Sequence, residues 1–551
     1  MKRILGLSML AAALAACDDS PTEPKARLPE VGEQIQLNVQ FDDNCANPVL
    51  RSGRVAAVSN RAIMVNDVTN SSSQGFTDAD YQEFATAYDN LVWPVDTRNF
   101  GEPEDIDRND RVVFFVTRAI NDLTSPASGT YINGLFFSRD LFPAQDKDNL
   151  QGCPSSNVGE IIYLLAPDPI RGGPFSYASA KQNMVGVMAH ETQHLISASR
   201  RLYTLKVGGA EWNEAVWLNE GLSHIAEELV FYEASGLTPR RNLAGAAFPT
   251  GSTARNAFFA YMAQNGTRYF GHTNEPERDS PYETDDDVAT RGAIWNFLRY
   301  AADRRGGDEQ PLWNTLVNSR TTGMANLRAA LATDPVPLFR DWAVSVYMDD
   351  AVPGTDARFT QPSWDFRNLF TGGLQLRTRR LASGTPVSLS LDAGGAAYLR
   401  FGVGAGRAEV RVTSGGQAPA GACAAVPALA VGQVHTLAPA AGQALCVDQA
   451  GDYTLVAFYG AEVEGDPLGV DVTATGIQAV AATPSPTVNP AGGPTFSFAE
   501  APVYREDAEV RRRLQAHQRE MAGYAGGGAR YSVASAVPDP TKLYLSVART
   551  R

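Results

Sequence analysis

The chain has 551 residues, 44% of them hydrophobic and 20% charged, with 49 Gly and 33 Pro; this excludes a single small module and a wholly disordered chain, because there is apolar material for several packed cores. Lys plus Arg number 47 against 61 Asp plus Glu, a net charge of −14. A chain of that sign repels a phosphate backbone, so nucleic acid is not an expected partner.

Lys2 and Arg3 precede an apolar run from Ile4 to Ala16 that ends in small residues. The run is too short to span a bilayer and reads as a secretory signal peptide over 1–16. Leu14-Ala15-Ala16-Cys17 resembles the bacterial lipobox, whose cysteine becomes the lipidated first residue of the mature protein. That implies an extracytoplasmic protein of the cell envelope, anchored to a membrane by acyl chains on Cys17. Cys45, Cys153, Cys423 and Cys446 are then an even set in an oxidising compartment, which favours disulfides. Proximity in the chain suggests Cys423–Cys446 and Cys45–Cys153, one of three connectivities.

Residues 17–32 are polar and proline-containing and read as a tether. Alternation at Ile35, Leu37, Val39 and Phe41 and the run Ala62 to Val65 predict a small β region. Helical spacing over Asp78 to Leu91, then Val112-Val113-Phe114-Phe115-Val116, turns the pattern α/β. Further strands are predicted at Gly134 to Phe137 and Ile161 to Leu165, and long helices at Ala180 to Ser199, Glu214 to Glu233 and Ala289 to about Asp303. Glu275 to Asp287 is a dense acidic loop, read as solvated. Beyond about 375, short alternating segments separated by Gly-rich turns predict an antiparallel β-sandwich over 375–480. Residues 481–551 read as a Pro/Gly/Ser linker and a loose tail. The expected class is α+β, with a mixed-sheet and helical catalytic region over 33–370 followed by the sandwich.

The chemistry sits in Ala189-His190-Glu191-Thr192-Gln193-His194-Leu195. On a helix, residues four apart stand above one another, so His190 and His194 present two imidazoles to one point, as Zn²⁺ requires. Glu191 lies about 100° round the helix, within reach of a water on the metal. A catalytic zinc needs a third protein ligand and an open position. Downstream, Glu220, His224 and Glu227 form a polar stripe on a helix whose other face is apolar. Such a stripe can face the zinc helix.

His190-Glu191-x-x-His194 followed by Asn219-Glu220-Gly221-Leu222-Ser223 resembles the gluzincin metallopeptidases of thermolysin-like fold. With Trp217-Leu218 and Arg291-Gly292-Ala293-Ile294-Trp295-Asn296-Phe297-Leu298-Arg299-Tyr300, the stretch from about 160 to 305 is similar to the hyicolysin family of secreted bacterial peptidases. The resemblance implies His190, His194 and Glu220 as zinc ligands, Glu191 as general base, and protein or peptide substrates. His224 falls where such enzymes often place an Asp that orients a ligating His; it either accepts a hydrogen bond from His190 or replaces Glu220. Glu227 shares that outer layer. Tyr282 and His272 are candidates for the donor that faces the oxyanion, and Ile161 to Leu165 for the sheet edge that pairs with substrate. The Trp-Leu-Asn-Glu-Gly string also resembles thermolysin-like aminopeptidases, but the wider spacing from His194 and the lack of a Gly-x-Met-Glu-Asn segment argue against them.

Asp105-Ile106-Asp107-Arg108-Asn109-Asp110 carries oxygen ligands at positions 1, 3 and 5, as Ca²⁺ loops do. Position 6 is Asp110 and the twelfth residue Val116, so it is no complete EF-hand. The reading is a lipid-anchored zinc metalloendopeptidase. Its rivals are a surface binding lipoprotein with a vestigial metal site, and a gluzincin aminopeptidase.

Overall fold

The computed structural model describes residues 26–41, 45–124, 131–283, 287–370, 374–480, 521, 524–525 and 536–551. The predicted signal peptide, Cys17, most of the tether and the linker from 481 to 520 lie outside the described residues.

Six strands, β1 (Gln34–Asn38), β2 (Leu50–Val58), β3 (Ala62–Asp67), β4 (Val112–Thr117), β5 (Gly134–Phe136) and β6 (Ile161–Leu165), form one sheet in the order β1-β2-β3-β4-β6-β5. β3, β4 and β6 run parallel, while β1, β2 and β5 pair antiparallel to their neighbours. Every residue of β4 and β6 is buried, which is why both read as unbroken apolar runs instead of alternating ones. That corrects one expectation: Ile161 to Leu165 is an interior strand, with β4 on one side and β5 on the other. The edge strands are β1 and, next to β6, β5.

Helices follow the chain as α1 (Asp78–Ala87), α2 (Trp93–Phe100), α3 (Arg118–Asp122), α4 (Tyr177–Ser199), α5 (Val216–Ser235), α6 (Thr253–Ala257), α7 (Ala263–Asn274), α8 (Val288–Arg305), α9 (Gln310–Val317), α10 (Gly323–Leu331), α11 (Pro335–Met348) and α12 (Phe366–Leu369). Ser176 caps α4 by accepting from the Ser179 N–H, and Asp287 caps α8 through the Thr290 N–H. Gly236, at φ 70°, ends α5 in the left-handed region that favours glycine. One core lies under the sheet and takes most of the apolar side of α4; a second takes most of α5 and the later helices. Ile196 of α4 belongs to the second core and Val230 of α5 to the first, so these two helices form the seam. Two disulfides, Cys45–Cys153 and Cys423–Cys446, are formed.

The sandwich strands are β7 (Arg379–Arg380), β8 (Val387–Leu391), β9 (Ala396–Val403), β10 (Ala408–Ser414), β11 (Ala424–Ala425), β12 (Val434–Thr436), β13 (Gln443–Val447), β14 (Gly451–Tyr459), β15 (Leu468–Thr475), β16 (Ile477–Gln478) and β17 (Leu543–Arg549). One sheet is ordered β11-β13-β10-β15-β8 and the other β12-β17-β14-β9-β16. Two expectations need correction. The segment read as a loose tail supplies β17, whose Leu543, Leu545 and Val547 are buried between β12 and β14. Nor is 375 a break in packing, because the apolar interior of the sandwich is continuous with that of the helices, and the Tyr398 hydroxyl donates to the Ala343 carbonyl of α11. Within the acidic loop, Glu277 is buried and accepts from Arg379 at 2.9 Å, so that residue is not solvated.

Candidate metal centre

α4 and α5 pack side by side across the seam, and their polar residues meet there. On α4, Nε2 of His190 and Nε2 of His194 stand 3.1 Å apart. Glu220, in the first turns of α5, brings Oε2 to 3.4 Å from Nε2 of His190 and Oε1 to 3.5 Å from Nε2 of His194. Donors held at about 2.0–2.1 Å from one tetrahedral ion stand roughly 3.3–3.4 Å from each other. Two imidazoles and one carboxylate at these separations fit Zn²⁺ in donor type and in spacing.

Burial and neighbouring charges act on each of these groups. Burial holds His194 down to about 4, so its ring is a neutral donor. Burial also disfavours a charged His190, but hydrogen bonds to Glu220 and Glu227 outweigh it and lift that ring to about 10. Burial of Glu220 is offset by Arg291, whose Nη1 lies 3.1 Å from Oε2, and by the two imidazoles, which hold its carboxyl well below the usual range.

Behind the ligands, Glu227 receives Nδ1 of His190 at 3.1 Å on Oε1 and Nδ1 of His224 at 3.1 Å on Oε2. The Asn265 amide donates to the same Oε2 at 2.7 Å. His224 thus reaches His190 only through Glu227, not by the direct hydrogen bond expected of it, and His190, His224 and Glu227 make a second group that could hold an ion. His224 and Glu227 lie one turn and two turns along the same face of α5 from Glu220. The Ser223 hydroxyl, which donates to the Glu220 carbonyl, lies 3.2 Å from Nε2 of His190.

Glu191 points to the sheet side of α4. Its Oε2 accepts the Phe136 N–H of β5 at 2.8 Å. Burial pushes its carboxyl up to about 7, near the range a general base uses. Gly134 makes this approach feasible: a Cβ there would come within 2.5 Å of Val187 Cγ1 and 3.1 Å of Glu191 Oε1. A cavity opens at this junction, lined by Tyr131, Ile132, Asn133, Gly134, Val187, His190, Glu191, Glu227, Gln264, Arg268, Val288 and Arg291. Sequence reading missed Gly134, Phe136, Arg268 and Arg291 as parts of the site. A glycine inside a strand pattern is the one local signal among them.

Tyr282 and His272 do not line this cavity. The Tyr282 hydroxyl donates to the Ala461 carbonyl at the sandwich, and its ring packs on Phe339. His272 is buried against Trp342 with Nδ1 on the Asp279 carbonyl. Both expectations are corrected: these side chains join the helices to each other and to the sandwich.

No family model matches the chain. Over 154 residues it is 28% identical to the neutral metalloprotease ShpI of Staphylococcus hyicus, a stretch that makes up 28% of this chain and 31% of that protein. The chain thus spans about a third of the length of the curated relative it matches.

Proposed function

We propose that the chain is a lipid-anchored, extracytoplasmic zinc metalloendopeptidase of gluzincin type. The observation that carries this reading is the convergence of His190, His194 and Glu220 beside Glu191, whose carboxylate is held against a free sheet edge. Similarity to a metalloprotease supports it, and two disulfides support an oxidising compartment.

His190, His194 and Glu220 would hold the ion, which when bound supplies Lewis acidity to a carbonyl and to water. β5, antiparallel at the sheet edge, offers its outward backbone groups, apart from the Phe136 N–H held by Glu191, to an extended peptide, which lays the scissile bond across the cavity. Glu191 takes the proton of the attacking water on its carboxylate and returns it to the leaving nitrogen. The Phe136 N–H fixes one oxygen of that carboxylate and so its orientation. Tyr131, Arg268 and Arg291 line the cavity where negative charge develops on the carbonyl oxygen.

Two observations weigh against the rivals. A vestigial binding site has no use for Glu191 packed at the cavity wall. An aminopeptidase needs a carboxylate for the free amine, yet Glu220 and Glu227 are already engaged by His190, His194, His224, Asn265 and Arg291. Cleavage of casein by the zinc-loaded protein beside Glu191→Gln tests the reading. Retained zinc with lost hydrolysis in the variant supports it; equal cleavage by both defeats it.

A further inference from the structure

The loop between α2 and β4 and the start of β6 meet at a second polar cluster, on the sheet side of the molecule. One ligand atom each from Asp105, Asp107 and Glu160 lies within 4.8 Å of the others. Glu160 sits there because its carbonyl accepts from the Val113 N–H, which locks the start of β6 to β4. Its side chain is only 2% exposed. Oε1 accepts the Ile106 N–H at 2.8 Å, while Oε2 is buried with no hydrogen-bond partner. Asp107 and Asp105 are oriented by the Asn109 amide and by the N–H groups of Asn109 and Asp110. Among the described residues no Lys or Arg forms an ion pair with any of the three carboxylates.

Three carboxyl groups so placed repel one another, and burial adds to the cost of charging them. Glu160 is pushed up to about 8 and Asp107 to about 6, in both cases by burial first, and no positive side chain counters either shift. An orphaned, nearly sealed carboxylate oxygen beside two loop aspartates is a costly arrangement unless a cation completes it. Three protein carboxylates suit Ca²⁺, which takes six to eight oxygen ligands, whereas Mg²⁺ keeps several waters and is usually held by only one or two carboxylates. Zn²⁺ prefers nitrogen or sulfur donors, and none is present in this cluster.

We propose that Asp105, Asp107 and Glu160 form a Ca²⁺ site that clamps the loop before β4 to the start of β6. The clamp reaches the zinc helix, because the Glu104 N–H donates to the Ser199 hydroxyl at the end of α4. The site extends the Ca²⁺-loop pattern of 105–110 by a ligand 50 residues downstream that the local spacing does not reveal. It rests on no part of the peptidase reading.

The test uses the full mature chain, stripped of divalent ions, reloaded with one equivalent of zinc and titrated with CaCl₂ or MgCl₂. At a hundredfold excess over Kd, Ca²⁺ is expected to raise the melting temperature by about 2–3 °C and to give one calorimetric binding event, with Mg²⁺ much weaker. Glu160→Gln abolishes both responses, yet without Ca²⁺ it melts no lower than the wild type, because it removes an unpartnered buried carboxylate. Asp107→Asn repeats the measurement should Glu160→Gln fold poorly. A wild type indifferent to Ca²⁺, a response retained in both variants, or Mg²⁺ acting as well as Ca²⁺ would overturn the proposal.

Discussion

Nδ1 of His190 stands 3.1 Å from Oε1 of Glu227, two turns along α5 from Glu220. That contact turns Nε2 of the ring toward His194 and Glu220 and, in the proposed zinc site, would make the ring a stronger donor. Glu227→Ala is expected to lower zinc affinity 10–100-fold, measured by competition with a chromogenic chelator. Hydrolysis should fall at limiting zinc and recover largely with excess. Unchanged affinity would mean that Glu227 merely fills space.

Gly134 keeps β5 against α4. A methyl there meets Val187 Cγ1 at 2.5 Å and Glu191 at 3.1 Å, so Gly134→Ala is expected to push the strand off the Glu191 carboxylate. The hydrogen bond from Phe136 then lengthens. A fall of at least tenfold in kcat with zinc content unchanged is the expected result; loss of zinc instead would place the damage at the ligands.

Glu228, on α5, is buried and accepts from Trp364 at 2.7 Å, with Arg299 at 3.5 Å. Burial pushes its carboxyl up to about 7, although Arg299 and Trp364 oppose the shift. The folded chain therefore binds this proton more tightly than the unfolded one, whose ordinary value is 4.5. The sign follows: this contribution to stability is complete below about 4.5 and is lost as pH rises through about 7, with a slope of up to ~1.4 kcal/mol per pH unit. Denaturant melts from pH 5 to 8 should show a flatter profile for Glu228→Gln than for the wild type. Parallel profiles would contradict the shift.

Deleting residues 537–551 removes β17 and strips the neighbouring edges of β12 and β14. It also forfeits burial of Leu543, Leu545 and Val547, at ~1.5–3 kcal/mol per side chain. The expected outcome is aggregation, seen as loss of soluble monomer by size-exclusion chromatography, because open strand edges recruit other chains. A soluble truncated protein would restore the loose-tail reading.

What the sequence made legible was local. The pairing of His190 with His194 depends only on helical spacing, and the apolar runs at 112–116 and 161–165 announce buried strands in their own composition. Glu220 needed a resemblance as well as a stripe, since Glu220, His224 and Glu227 share one face and spacing cannot rank them. Packing sets Glu227 on Nδ1 of His190 and Glu220 beside its Nε2. Which strand forms the sheet edge is a property of strand order, so the edge position expected of Ile161 to Leu165 is held by Gly134–Phe136. β17 escaped for a related reason: its partners β12 and β14 lie about 90–110 residues earlier, and short-range pattern carries no record of such pairing.

The central claim is the ligand set. Anomalous diffraction at the zinc edge from crystals of the zinc-loaded protein tests it most directly, because the same helices offer a rival group, His190, His224 and Glu227. One peak is expected about 2.0–2.1 Å from Nε2 of His190, Nε2 of His194 and a carboxylate oxygen of Glu220. A peak among His190, His224 and Glu227, or none between α4 and α5, would contradict it.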